Sequence, residues 1–265
     1  MPVPLTEGSG HGMNPEERLV LLAWPRSGSS SLWRMLQAHP GLDLMPDEPF
    51  NESFADWAPG NPDYLARVQD IATLDDVLAV LFQRYRGIKV LSYQLDDDQL
   101  RHLVRRPDLW IVYISRRNLL QTAVSDRIAK QTRLWNRWDA DPGKPFERYY
   151  DNLEPLDVED LRAYVRDLAD HLRWVDELLR GRADGRVFRL RYEDLYLSDP
   201  GTQRDLLESM WSFLEVTPLA ADAVGRYLDP RVASLGGPAT YRRLPNAAEI
   251  DAALGSAETG RLLPY

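Results

Sequence analysis

Apolar residues run unbroken over positions 19–24 and stop at a loop of small hydroxyl residues, a pattern that predicts a short strand covered on both faces. Segments 87–93, 110–115 and 186–192 repeat it. Between them the apolar period lengthens to 3–4 residues. Leu161, Tyr164, Val165, Leu168, Leu172, Val175, Leu178 and Leu179 mark one face of a long helix that Gly181 closes. Thr73-Leu74-Asp75-Asp76 reads as a capping-box-like start of an earlier helix, and Arg105-Arg106-Pro107 as the end of another. Residues 32–37 form a further helical stretch that stops before Pro40-Gly41. Strands alternating with helices predict an α/β fold, a single domain with a central, mainly parallel sheet flanked by helices. Residues 1–17 read as a flexible leader, 18–265 as the domain, and 131–157 as an irregular insertion over the sheet's edge. Ligands of such sheets bind at the carboxyl ends of the strands, here Trp24-Pro25, Ser92-Tyr93 and Ser115-Arg116.

Composition narrows the chemistry. With 44% hydrophobic and 28% charged residues the 265-residue chain is globular. It has no cysteine, which excludes disulfides, thiolate metal sites, iron–sulfur clusters and a cysteine nucleophile. A net charge of −9 speaks against a broad basic surface for nucleic acid. No apolar run approaches the ~20 residues of a membrane span, and no targeting segment is visible. The expected location is the cytoplasm. Lys89, Lys130 and Lys144 are the only lysines, so arginine supplies 29 of the 32 cations. An anion held here must be held mainly by arginine or by backbone amides.

Two segments are built for anions. Pro25-Arg26-Ser27-Gly28-Ser29-Ser30-Ser31 links the first strand to a helix. A helix start offers unpaired amides and the positive end of the dipole, Gly28 permits close backbone approach, and Arg26 adds charge. The nucleotide P-loop and the dinucleotide fingerprint both fail here, because their paired glycines and the P-loop lysine are missing. In the second segment Ser115-Arg116-Arg117-Asn118 ends a strand, and Ser125 follows two turns into the next helix. A guanidinium and a hydroxyl so placed can grip one phosphate from two sides.

Trp24-Pro25-Arg26-Ser27-Gly28-Ser29-Ser30-Ser31 resembles the 5′-phosphosulfate loop of sulfotransferases that use 3′-phosphoadenosine 5′-phosphosulfate (PAPS), and residues 113–125 resemble that family's 3′-phosphate site. The continuation through Ala123-Val124-Ser125, Ala129-Lys130-Gln131-Thr132 and Trp135 is similar to bacterial members of the trehalose-sulfating type. In that register the phosphate arginine is Arg116, whereas the spacing of eukaryotic members selects Arg117. Gly87-Ile88-Lys89-Val90, Arg191-Tyr192-Glu193-Asp194-Leu195, Pro200 and Trp211-Ser212-Phe213-Leu214 extend the resemblance over about residues 19–215. Glu193 and Asp194 are expected to cap the element after them. The stretch around Leu235-Gly236-Gly237-Pro238 and Tyr241-Arg242-Arg243 sits where the family carries a nucleotide-covering loop, and reads equally well as a basic surface loop.

Many family members take the acceptor's proton with a histidine. His11 lies in the leader, His102 and His171 read as charged helix faces, and His39 reads as a helix end. The trehalose and nodulation-factor types carry a glutamate in a pattern resembling Pro46-Asp47-Glu48-Pro49-Phe50. The resemblance therefore implies Glu48 as general base and Arg26 as electrostatic catalyst, with Lys89 a second cation. It assigns PAPS, and its product 3′,5′-adenosine bisphosphate (PAP), to Arg26, Ser27, Gly28, Ser29, Ser30, Ser31, Arg116 and Ser125, and requires no metal. The acceptor is expected to be a small or medium-sized hydroxyl compound, a carbohydrate or secondary metabolite, with Trp24, Trp33, Trp57, Trp135 and Trp138 as candidate stacking surfaces. Neither nucleic acid nor a membrane is an expected partner, and a homodimer is left open. The alternatives are a nucleotide kinase or NTPase with a degenerate P-loop, and a catalytically idle nucleotide-binding protein of the same fold.

Overall fold

The computed structural model describes residues 16–51, 63–136, 140–229 and 237–263. Nearly all of the expected leader, Trp57, Trp138 and the first two residues of the expected covering loop, Leu235 and Gly236, lie outside the described residues. Four strands, β1 Arg18–Ala23, β2 Gly87–Leu91, β3 Leu109–Ser115 and β4 Val187–Arg191, form one sheet in the order β2-β1-β3-β4. Every pairing is parallel. The predicted strands fall within one or two residues of these bounds, because an unbroken apolar run of this length has no face to give to water. The edge strand β4 is the exception. Only Leu190 is buried along it, because Arg189 and Arg191 interrupt its apolar run and turn to solvent, whereas β2 at the opposite edge is buried throughout.

The helices are α1 Ser29–Gln37, α2 Tyr64–Arg67, α3 Ile71–Arg84, α4 Asp97–Arg105, α5 Leu119–Thr132, α6 Val158–Arg180, α7 Tyr192–Tyr196, α8 Pro200–Phe213, α9 Ala221–Leu228, α10 Pro238–Tyr241 and α11 Ala247–Leu254. Alternation along β1 divides the core. Leu19, Leu21 and Ala23 pack with α1, α7 and α8, while Val20 and Leu22 pack with α3, α4 and α6. A third apolar cluster joins α5 and the first half of α6 to Tyr241, Leu244, Ile250 and Leu262. The predicted start of α3 is corrected by three residues. Its cap is Asp70, whose carboxylate accepts from the Thr73 amide while Thr73 Oγ1 accepts from the Asp70 amide. The insertion holds one short 3-10 turn, Phe146–Tyr150.

Topology locates the site. After β1 the chain turns toward the β2 side of the sheet, and after β3 it turns the opposite way, toward β4. The carboxyl ends of β1 and β3 thus border a crevice at the point where the strand order reverses, the place where open α/β sheets bind ligands.

At the other end of the sheet β1 and β2 meet closely. A Cβ on Gly87 would lie 2.8 Å from the Leu19 carbonyl oxygen and 2.7 Å from Leu44 Cδ2. Gly87→Ala should cost about 1–3 kcal/mol through overpacking, lowering the urea midpoint at unchanged m-value. A wild-type midpoint in the variant would contradict this packing.

Candidate anion site at the carboxyl edge of the sheet

The turn after β1 is held from both sides. Ser27 Oγ donates back to the Trp24 carbonyl at 2.7 Å, and the Tyr196 hydroxyl donates to the Gly28 carbonyl at 2.8 Å. Gly28 has φ +84°, and a Cβ there would sit 2.6 Å from Tyr196 and 2.9 Å from Tyr192. Only glycine meets both demands. Burial pushes the Tyr196 phenol well above its ordinary value, so it stays a neutral donor. Arg26 also lies in the left-handed region, at φ 65°, where a non-glycine backbone is strained and needs surrounding structure to hold it. The helices α3, α4, α5, α6 and α8 each start on an Asp or Asn side chain that accepts a backbone N–H. Helix α1 starts on Gly28 with no side-chain cap, which leaves its opening amides for another acceptor.

Two guanidiniums converge beside this turn. Arg26 Nε donates to Ser125 Oγ at 3.0 Å and Nη1 to the Trp135 carbonyl at 2.5 Å. Arg116, 7% exposed, donates from Nη1 to the Arg26 carbonyl at 3.3 Å and from Nη2 to Gln121 Oε1 at 2.5 Å, and lies 4.3 Å over the Tyr192 ring. Its Nε is buried without a hydrogen-bond partner. Burial, and then the neighbouring Arg116 charge, lower the Arg26 guanidinium from its ordinary value, opposed by Tyr241 and Asp126. A guanidinium nonetheless stays charged in proteins. Among the described residues neither arginine has a carboxylate ion pair. The nearby Asp126 carboxylate is taken by Lys130 at 2.8 Å and Arg127 at 3.4 Å.

The structure separates Arg116 from Arg117. The Arg117 side chain is 59% exposed and ion-paired with Asp194 and Glu193, away from Arg26 and Ser125. Glu193 does not cap its own helix. Its oxygens accept from the amides of Arg117 at 3.1 Å and Asn118 at 3.0 Å, which fixes the loop that carries Arg116.

A second group joins the turn through Ser30. Lys89 Nζ reaches Ser30 Oγ at 3.0 Å and Glu48 Oε1 at 2.7 Å, the two side chains being 5% and 14% exposed. Glu48 Oε2 accepts from Gln94 Nε2 at 3.0 Å and Asn51 Nδ2 at 3.1 Å, and the Leu91 amide orients Gln94 by donating to its Oε1. The next two residues, Pro49 and Phe50, are buried. Three hydrogen bonds leave a carboxylate with acceptor capacity to spare.

Two residues at this edge escaped the sequence reading. Tyr241 closes the short helix α10 and does not lie on a surface loop. It is fully buried against the arginine pair, its phenol raised by burial with Arg116 pulling the other way. Arg243, beside it, pairs with Asp151. His171 does not sit on a charged helix face: its Nε2 lies 2.8 Å from Ser92 Oγ, and its ring 4.8 Å from Trp24, whose Nε1 donates to the Tyr164 hydroxyl. The spacing 168–171–175 on α6 was the available signal, since Leu168 and Val175 are core. His39 bonds the Thr217 carbonyl and the Gly41 amide, a structural role. Trp33 is core, whereas Trp135 is 36% exposed.

No protein-family model matches the chain, and no curated protein matches it. Among solved structures it is similar to a sulfotransferase from Alicyclobacillus acidocaldarius, with 17% identity, a TM-score of 0.49 and coverage of 90% of this chain and 94% of that one. It is also similar to the sulfotransferase domain of the Synechococcus PCC 7002 olefin synthase, with 21% identity, a TM-score of 0.45 and coverage of 95% and 90%. Mouse sulfotransferase SULT7A1, solved with PAP, shows 15% identity, a TM-score of 0.44 and coverage of 94% and 70%. These likenesses are remote.

Burial lowers the His171 pKa from 6.5, so in acid the unfolded chain binds a proton that the folded protein resists. Stability should therefore fall as pH drops from about 6.5 toward the folded value, and be flat below it. His171→Gln should flatten that part of the Tm–pH curve. An unchanged acid slope in the variant would show that His171 is not the group responsible.

Proposed function

We propose that the protein is a sulfotransferase that moves the sulfuryl group of PAPS to a hydroxyl of a small or medium-sized acceptor and releases PAP. One observation carries this reading. Arg26 and Arg116 lie together at the strand-order reversal, without a carboxylate ion pair among the described residues, beside an uncapped helix start. Two like charges side by side, Arg116 buried and Arg26 half-buried, are costly until an anion sits between them. The residues also match the donor's two charged ends. The α1 amides with Arg26 suit the 5′-phosphosulfate, and Arg116 with its unpartnered Nε suits the 3′-phosphate, with Ser125 beside it.

On this reading Glu48 takes the proton of the acceptor hydroxyl as its oxygen bonds to sulfur and the bond from sulfur to the 5′-phosphate oxygen breaks. Charge builds on that leaving oxygen, and Arg26 and the α1 amides stabilise it where it forms. Arginine is too weak an acid to protonate it, so Arg26 acts by charge alone. Lys89, bonded at once to Ser30 and Glu48, holds the base in register with the phosphate turn. The Trp24 group, with Tyr93 and Tyr164, is the stacking surface for a carbohydrate or secondary-metabolite acceptor.

Calorimetry should find PAP binding more tightly than ATP. Incubation with PAPS and a panel of hydroxyl acceptors should give a product heavier by one sulfonate. Glu48→Gln should lower kcat about 10²–10⁴-fold, with Asp47→Asn close to wild type. Arg26→Ala should cost about 10²–10³-fold. Equal affinity for ATP and PAP, with no sulfonated product, would overturn the reading. Retained turnover in Glu48→Gln would overturn only the choice of base.

A further inference from the structure

The group nearest Arg116 is an amide, not an acid, and its far end is tied to a distant part of the chain. Gln121 Oε1 accepts from Arg116 Nη2, while Gln121 Nε2 donates to the Arg261 carbonyl at 2.9 Å and, more weakly, to the Leu262 carbonyl at 3.4 Å. The amide can sit only one way round. Turned over, its NH2 would meet a guanidinium and its oxygen two carbonyls. The same carbonyl of Arg261 accepts from Asn118 Nδ2 at 2.7 Å, and the Leu120 amide donates to the Thr259 carbonyl at 2.9 Å. Residues 256–262 thus clasp the first turn of α5.

That segment is itself well fixed. Ser256 and Gly260 exchange two backbone hydrogen bonds, at 3.1 and 3.0 Å, and Leu262 is fully buried with its amide on Asp251 Oδ1 at 2.6 Å. Gly260 makes the close approach possible. It has φ +85°, and a Cβ there would lie 2.4 Å from Asn118 Cγ.

We propose that Gln121 is a positioning residue that aims the Arg116 guanidinium at the 3′-phosphate of the nucleotide, and that segment 256–262 holds Gln121 to that task. The inference rests on the donor reading above. Its logic is electrostatic. A carboxylate at position 121 would orient Arg116 equally well, but would compete with the phosphate for the same N–H groups. A neutral amide fixes the geometry and leaves the charge for the ligand. Its second hydrogen bond removes the rotamer freedom that a lone glutamine would keep.

The test compares PAP with adenosine 5′-phosphate, which lacks the 3′-phosphate, by calorimetry on the full chain. Gln121→Leu, the near-isosteric Gln121→Glu, and Gly260→Ala on the far side of the contact should each weaken PAP binding by about 10-fold. Binding of adenosine 5′-phosphate should stay within about 2-fold of wild type. In turnover the KM for PAPS should rise while kcat at saturation holds. A merely structural role would weaken both nucleotides alike, with a fall in Tm to match. If wild type prefers PAP and all three variants keep that preference, this inference falls and the donor reading stands. If wild type shows no preference for PAP, the donor reading falls and takes the inference with it.

Discussion

Everything at the carboxyl edge follows from keeping two arginines side by side with no carboxylate paired to either among the described residues. Like charges in a half-buried site repel, and nothing within the pair relieves that cost. Among the described residues the hydrogen bonds and ring contacts to Arg26 and Arg116 come from neutral groups: a serine hydroxyl, backbone carbonyls, an amide and an aromatic face. Acids are abundant in the chain, which carries 41 of them. Those on the neighbouring elements named above are engaged elsewhere, Asp126 with Lys130 and Arg127, Glu193 with the amides of Arg117 and Asn118, and Asp194 with Arg117. A net negative protein thereby keeps a local concentration of positive charge. Net charge governs what approaches the surface at long range, whereas the site is decided within a few ångströms.

The same constraint explains the strained backbone. For the Arg116 side chain to reach the Arg26 carbonyl, the turn after β1 must present that carbonyl toward β3, and Arg26 takes a left-handed conformation. Gly28, left-handed as well, then starts α1 against Tyr192 and Tyr196. The short helix α7 that supplies these tyrosines follows β4 directly. The edge strand, although poorly covered itself, thus delivers the rings that back the phosphate turn and the Arg116 guanidinium.

How much of this was legible in the chain depended on range. Runs of apolar residues are local, so the four strands and their alternation with helices could be read directly. Arg26 and Gly28 lie in one short segment, and Arg116 and Ser125 in another. Their types and spacing named them as a pair of anion sites, although only the sheet order β2-β1-β3-β4 brings the two together. The choice between Arg116 and Arg117 turned on which side of the backbone each faced, which spacing alone left open. Tyr241, His171 and the clasp on Gln121 come from elements far along the chain from their partners, 79 residues from His171 to Ser92, 120 from Tyr241 to Gln121 and 140 from Gln121 to Arg261. No local pattern could have announced those contacts. Glu193 misled for a different reason: an acid in the first turn of a helix usually serves that helix's own start, and here its oxygens serve the amides of a neighbouring loop instead.

The distribution of cation types is the remaining step. Arginine stands where charge must be permanent and planar, at positions 26 and 116, and cannot surrender a proton at any working pH. Lysine is rare in this chain, yet one of its three is buried between Ser30 and Glu48. An ammonium is a compact point charge with three donors on a flexible stem. It can hold a hydroxyl of the phosphate turn and a carboxylate at once, which a rigid fork aimed at one anion could not do as well. If Glu48 gains a proton during the reaction, its hold on Lys89 weakens at that moment, and the freed positive charge lies beside Ser30, at the start of α1. Negative charge would then be growing on the leaving group at the same helix end. On the proposed reading, deprotonation of the acceptor and stabilisation of the leaving group would be linked through one side chain, which would give the Ser30–Lys89–Glu48 chain a chemical reason beyond packing.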